Sequence, residues 1–143
     1  MAACGIQDAG NLGTLIRSAH AAGAAGVLAL EGTADPFNAK VVRSTAASLL
    51  ALPVVRITSQ AFLETSRSKK LRLVAAAAQA GVSYREFNWK KRPLILCIGS
   101  EGQGLPEQVQ AACRETVTIP MRGATESLNA AVAASILLFQ ANG

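Results

Sequence analysis

Apolar positions along this chain follow two patterns that take turns: short continuous runs of Val, Ile, Leu and Ala, and longer stretches where they recur every three or four residues. Continuous runs bounded by turn residues predict buried strands. By this reading residues 3–7, 27–30, 53–57, 71–76, 93–98 and 115–119 are strands, and residues 84–88 are an edge strand or a loop. The run 93–98, PLILCI, is the strongest of them. The other pattern predicts helices. The first is capped by Asn11 and turns Leu12, Leu15, Ile16 and Ala19 inward, leaving Arg17 on the polar side. A second covers 40–50 with Val42, Ala46 and Leu49 inward; a third, capped by Ser59, runs to 68; a fourth starts at Pro106; and an alanine-rich helix runs from Ser127 to 139. Strand and helix alternate, so the expected class is α/β, with a parallel sheet flanked by helices on both faces.

Length and composition narrow this further. A chain of 143 residues is one domain, residues 1–143. Ligands in such sheets bind at the carboxyl ends of the strands. Three polar loops fall there: 8–11, 99–104 and 120–126. The net charge of +5, from 14 basic and 9 acidic residues, is compatible with a polyanionic partner or with a merely basic surface. Cys4, Cys97 and Cys113 have no metal-type spacing and read as reduced core thiols of a cytoplasmic protein. His20, the single histidine, reads as a half-buried helix residue, and no histidine-rich metal site is possible. No signal peptide and no bilayer-spanning run is expected.

Several stretches carry candidate chemistry. Gly99-Ser-Glu-Gly-Gln-Gly joins a strand to a helix, and its glycines let backbone approach a ligand. Its spacing is neither the dinucleotide fingerprint nor a P-loop. Glu101 would repel a phosphate and suits a hydroxyl, a base edge or a cation. Glu126-Ser-Leu-Asn129 reads equally as helix-start chemistry, with Ser127 as cap, or as a site. Asn11 and Arg17 alone are a cap and a surface arginine as readily as a functional pair. Two basic clusters, Arg67, Lys69, Lys70 and Arg72, and Lys90-Lys91-Arg92 beside Trp89, are either solvated surface or phosphate contacts, with Trp89 stacking on a base.

Together these segments resemble the SpoU (TrmH-type) branch of the SPOUT RNA methyltransferases. The resemblance rests on three motifs in order: Asn11-Leu-Gly13-Thr-Leu-Ile-Arg17, Gly99 to Leu105, and Ile119-Pro120-Met121 followed by Glu126 to Asn129. It implies a trefoil knot in the C-terminal part, an exception to the rule against threaded chains. It implies S-adenosylmethionine (AdoMet) as methyl donor, no metal, a homodimer, and 2′-O-methylation of a ribose in ribosomal or transfer RNA. Gly99, Ile119 and Leu128 match positions that hold AdoMet, with Ile98, Met121 and Ser127 beside them. Arg17 matches the arginine proposed to activate the hydroxyl, while Asn11, Glu101, Ser127 and Asn129 would orient it and the ribose. A guanidinium is a cation at neutral pH, so holding a phosphate or an emerging alkoxide is its easier role. Ala9 stands where the family often has proline. Many members carry an N-terminal RNA-binding domain; none is expected within residues 1–143. The rival readings are a catalytically silent RNA-binding or ribosome-assembly factor of the same fold, and an unrelated nucleotide-binding enzyme, opposed by the missing phosphate-loop lysine.

Overall fold

A computed structural model describes all 143 residues. Seven strands form one sheet in which every pairing is parallel. The strands are β1 (Ala2–Cys4), β2 (Val27–Leu30), β3 (Val54–Ile57), β4 (Arg72–Ala77), β5 (Val82–Ser83), β6 (Leu94–Gly99) and β7 (Glu115–Thr118). Their spatial order is β3-β2-β1-β6-β4-β7-β5. Parallel neighbours need crossovers, supplied mostly by α1 (Ala9–Ala21), α2 (Ala39–Ser44), α3 (Ser59–Ser68) and α4 (Glu107–Ala112). The chain closes with α5 (Ala130–Asn142).

The two faces of the sheet are both covered, as the continuous apolar runs require. Successive strand residues point to opposite faces. Ala3, Val74, Leu96 and Ile98 face a core built from α1, the Val41 side of α2, and α5. Ala2, Cys4, Leu73 and Cys97 face a smaller core closed by Phe62 and Leu63 of α3 and Val109 of α4. Leu12, Leu15, Ile16 and Ala19 of α1 are buried as their spacing predicts. Cys4, Cys97 and Cys113 are free thiols, the first two buried and the third half-buried. Burial pushes the Cys4 thiol up to about 12, which makes it inert as a nucleophile.

Several local expectations are corrected. The helix expected over 40–50 breaks after Ser44, because Ala46 and Ala47 take positive φ of 46° and 65°. The chain then resumes as one 3-10 turn at Ser48–Leu50. That break moves the inward face to Val41, Thr45 and Ser48, while Val42 is exposed. Asp8, not Asn11, caps α1, its Oδ1 accepting from the Asn11 N–H at 2.8 Å. Thr58, not Ser59, caps α3. The last helix starts at Ala130 with Asn129 as its cap, not at Ser127. His20 is exposed, with Nδ1 3.2 Å from the Ser48 hydroxyl.

Trp89 does not offer a stacking face. It is buried, packs against Phe87 at 4.7 Å between ring centroids, and donates its indole N–H to the Tyr84 carbonyl at 2.8 Å. Nearby, Arg72 lies over the Phe87 ring and forks onto Glu115, donating from Nη2 to Oε1 at 2.6 Å and from Nε to Oε2. The hydrogen bonds from Arg72 hold the Glu115 carboxyl below its ordinary value.

Gly13 of the first motif has a packing role. A Cβ there would lie 1.8 Å from Ser44 Oγ and 2.6 Å from Ser44 Cβ, so α1 and α2 touch through its missing side chain. Gly13→Ala is expected to destabilise the chain by about 1–3 kcal/mol through overpacking. Adding Ser44→Gly is expected to recover part of that loss. Urea unfolding of the single and double variants measures both; a Gly13→Ala chain as stable as the parent would remove this contact from the account.

Candidate active site

The three loops at the carboxyl ends of β1, β6 and β7 meet. After β6 the chain makes a closed turn: Ser100 N–H donates to the Gly104 carbonyl at 3.2 Å, and Gly104 N–H donates back to Ser100 at 2.9 Å. The turn is so tight that a Cβ on Gly99 would fall 2.2 Å from the Gly104 carbonyl carbon, so only glycine fits. At its tip Glu101 reaches across to α5. Glu101 Oε1 accepts from Asn129 Nδ2 at 2.7 Å and from the Ala130 N–H at 3.1 Å. A longer contact, 3.5 Å, comes from Asn11 Nδ2. Asn129 Nδ2 also donates to Asn11 Oδ1 at 3.0 Å. Asn129 Oδ1 is occupied by the N–H groups of Ala131 and Val132, at 3.0 and 3.3 Å. That fixes the orientation of its amide. Asn11, Glu101 and Asn129, 118 residues apart at the extremes, form one hydrogen-bonded cluster.

Beside the cluster lies a cleft of about 240 Å³. Ile98, Gly99, Ile119, Met121, Ser127 and Leu128 line it, and so does Glu101. The lining also includes Ala76, Ala77 and Ala78 at the end of β4, and Gln110 of α4, which sequence reasoning missed. The alanine run after Val74 was the available signal, since small residues at a strand's carboxyl end leave room for a ligand. Between residues 119 and 128 no backbone N–H or C=O finds a hydrogen-bond partner in the chain. Ser127 makes no hydrogen bond. Arg17 stands apart: it is exposed, absent from the lining, and outside both ion pairs of the chain, Arg56–Asp35 and Arg72–Glu115.

This lining constrains the ligand. Eleven of its 17 residues are hydrophobic and Glu101 is its one charged side chain. No lysine or arginine is present to neutralise a phosphate, and a carboxylate would oppose one. The cleft therefore fits a flat apolar group read by unpaired backbone amides and carbonyls, joined to a neutral or cationic part. No three His, Cys, Asp or Glu side chains are placed to hold a metal ion.

An open parallel sheet with a cleft at the carboxyl ends of its strands, between helices on both faces, defines the class: an α/β protein whose cleft suits a small apolar or cationic molecule. The chain belongs to the SpoU rRNA Methylase family, whose pattern matches residues 1–139. It is 37% identical over 138 residues to the 23S rRNA (guanosine(2553)-2'-O)-methyltransferase RlmP of Bacillus subtilis (strain 168), covering 96% of this chain and 55% of that protein. Its fold matches the AdoMet-bound rRNA methyltransferase of Sinorhizobium meliloti with a TM-score of 0.92 and 38% identity, over 98% of this chain and 54% of that one. It also matches the SpoU methyltransferase AviRb of Streptomyces viridochromogenes in complex with AdoMet, with a TM-score of 0.88 and 36% identity, over 98% and 55% of the two chains. The chain thus spans about half the length of these relatives.

Asn129→Ala removes the cap from α5 and is expected to cost about 1 kcal/mol, whereas Asn129→Ser keeps a capping oxygen and is expected to cost less than half of that. Chemical denaturation of the two variants checks the order; equal losses would mean that the amide acts through Glu101 and Asn11 and not through the helix.

Proposed function

We propose that this chain is the catalytic domain of an AdoMet-dependent RNA methyltransferase that modifies a ribose 2′-hydroxyl, in ribosomal or transfer RNA, in the cytoplasm. The observation that carries the reading is the cleft's chemistry: an apolar slot with free backbone groups and a single carboxylate, beside the Asn11–Glu101–Asn129 cluster. Gly99, Ile119 and Leu128 would hold AdoMet, with Ile98, Met121 and Ser127 adjoining. AdoMet brings a methyl carbon already made electrophilic by its sulfonium, so an incoming hydroxyl needs positioning and loss of a proton more than it needs a metal.

The chain's residues then divide the work. Glu101 Oε1 is spent on Asn129 and Ala130, which leaves Oε2 without a hydrogen bond in the chain and able to accept one from a hydroxyl. Asn129 holds that carboxylate in place, and Asn11 holds Asn129. Ser127 contributes a hydroxyl donor at the rim. Arg17 supplies the positive charge, steadying a phosphate or the oxygen as it loses its proton.

Arg17 lies outside the cleft of its own chain, so the reading includes a homodimer in which each subunit's Arg17 serves its partner's cleft. Exposed apolar side chains on α5 support this. Val132 is 47% and Phe139 54% exposed. This helix is joined to α1, the helix of Arg17, through the Ser18 and Ser135 hydroxyls at 2.7 Å. The C-terminal trefoil knot belongs to the same proposal. It is supported by the strand order, in which β4 lies between β6 and β7, and by the return of both following loops to one end. No helix is long and apolar enough to cross a membrane.

Calorimetric titration with AdoMet is the first test. Saturable binding, weakened by Gly99→Ala, is expected; a chain that binds no AdoMet is instead a silent RNA-binding or assembly factor. Arg17→Ala is expected to cut methyl transfer by a factor on the order of 10³ while AdoMet affinity stays within a few-fold. A variant with normal transfer would take Arg17 out of the mechanism.

A further inference from the structure

We propose that a second cleft, at the amino ends of β4 and β7 and so at the opposite end of the sheet from the methyl-donor cleft, binds phosphate groups. It does not depend on the methyltransferase reading. The cleft encloses about 650 Å³ between the last turns of α3 and α4. It joins the two basic clusters of the sequence, bringing Arg67 and Lys70 from one together with Lys91 from the other. Arg114, which belongs to neither cluster, completes the ring.

The charges do not cancel. Arg72 is committed to Glu115 and to the carbonyls of Asn88 and Lys91. Arg67, Lys70, Lys91 and Arg114 have no carboxylate within ion-pair distance. Glu115 is the single acid of the lining. The bland account is that these cations complement the negative ends of α3 and α4. Each helix end carries only about half a charge, so four unpaired cations leave a clear positive excess. That excess is most of the chain's net +5.

Two further observations point to a ligand. Ser66, only 4% exposed, lines the cleft, and its Oγ is the one buried side-chain oxygen or nitrogen in the chain without a hydrogen-bond partner. A buried hydroxyl without a partner is costly, and since Ser66 is a lining residue, a turn of its side chain toward the cleft would let an anion or its water supply one. Lys70 has a positive φ of 51° at the end of α3, where its N–H bonds the Arg67 carbonyl at 3.1 Å and Leu71 N–H bonds Ser66 at 2.9 Å. This is the helix stop that glycine normally occupies. A lysine there accepts backbone strain and in exchange sets an ammonium over the cleft.

The phosphates have two possible sources, an RNA backbone or a free polyphosphate. The test is amide NMR of the full chain, titrated separately with tripolyphosphate and with a single-stranded RNA oligonucleotide lacking terminal phosphates. Either probe is expected to shift the amides of Ser66, Lys70, Leu71 and Arg114. Shifts with the oligonucleotide assign the backbone; shifts with tripolyphosphate alone assign a free polyphosphate. Shifts with neither probe, or only around residues 99–104 and 119–129, overturn the proposal. Lys70→Gly separates binding from folding. It is expected to raise the melting temperature, since glycine fits the positive φ. With Arg114→Ala it is expected to weaken binding of the effective probe about tenfold. Undiminished binding in that double variant would also overturn the proposal. If RNA is the ligand, each removed cation is expected to lower the salt-dependence slope by about one.

Discussion

The site is held together by one carboxylate oxygen at the start of α5. A helix begins with N–H groups that have no partner inside the helix. Here the Ala130 N–H goes to Glu101 Oε1, and the next two go to Asn129 Oδ1. Two side chains, one from a loop 28 residues earlier, thus complete the helix end. Hydrogen bonds to a charged group are worth roughly 1.5–3 kcal/mol each. The helix end also favours a negative charge. The same oxygen ties the 99–104 turn to α5 and, through Asn129, to Asn11 at the start of α1. The ten residues that lead into the helix are left with unused backbone groups, and four of them, Ile119, Met121, Ser127 and Leu128, line the cleft. The fold is completed by the residues that define the site, so neither can be altered without the other.

How much of this was legible in the sequence follows from where the signals are local. The strands read clearly because a strand buried on both faces must be mostly apolar: 93–98 is apolar throughout, and 71–76 is broken only by Arg72, which pairs with Glu115. The first helix read clearly because four of its residues keep strict spacing. The second did not, because its end depends on Ala46 and Ala47 taking left-handed backbone, and alanine gives no warning of that. Trp89 was misread because its neighbours are basic; burial of its ring is decided by Phe87 and the Tyr84 carbonyl. Caps slipped by one to three residues where two capping residues lie close together, at Asp8 and Asn11, Thr58 and Ser59, and Ser127 and Asn129. Asparagine is an odd residue for the first helical turn that the sequence suggests at Asn129, and the reason is that it lies one step outside the helix. The cluster itself was legible only through the resemblance of its motifs, since nothing local says that positions 11, 101 and 129 will touch.

The two ends of the sheet differ in charge in a way that bears on how such a chain would handle a polyanion. The cleft at the carboxyl ends has one acid and no base; the cleft at the amino ends has five bases and one acid. β4 connects them, six residues long, or roughly 20 Å at the usual rise per residue. A phosphate would therefore be repelled at the carboxyl-end cleft and attracted at the amino-end one, away from the proposed methyl-donor site. Contacts at the distant end do not change between ground state and transition state, so they tighten association without speeding the reacting step. On the proposed function, rate would come from groups near the cleft, namely Glu101, Asn129 and an arginine. Keeping cations out of the donor cleft has a direct physical reason: a sulfonium is itself positive, and a lysine beside it would compete for the one carboxylate present. On this argument the basic surplus of the chain is placed to hold a polyanion, and its absence from the apolar cleft is as much a part of the site as the residues that line it.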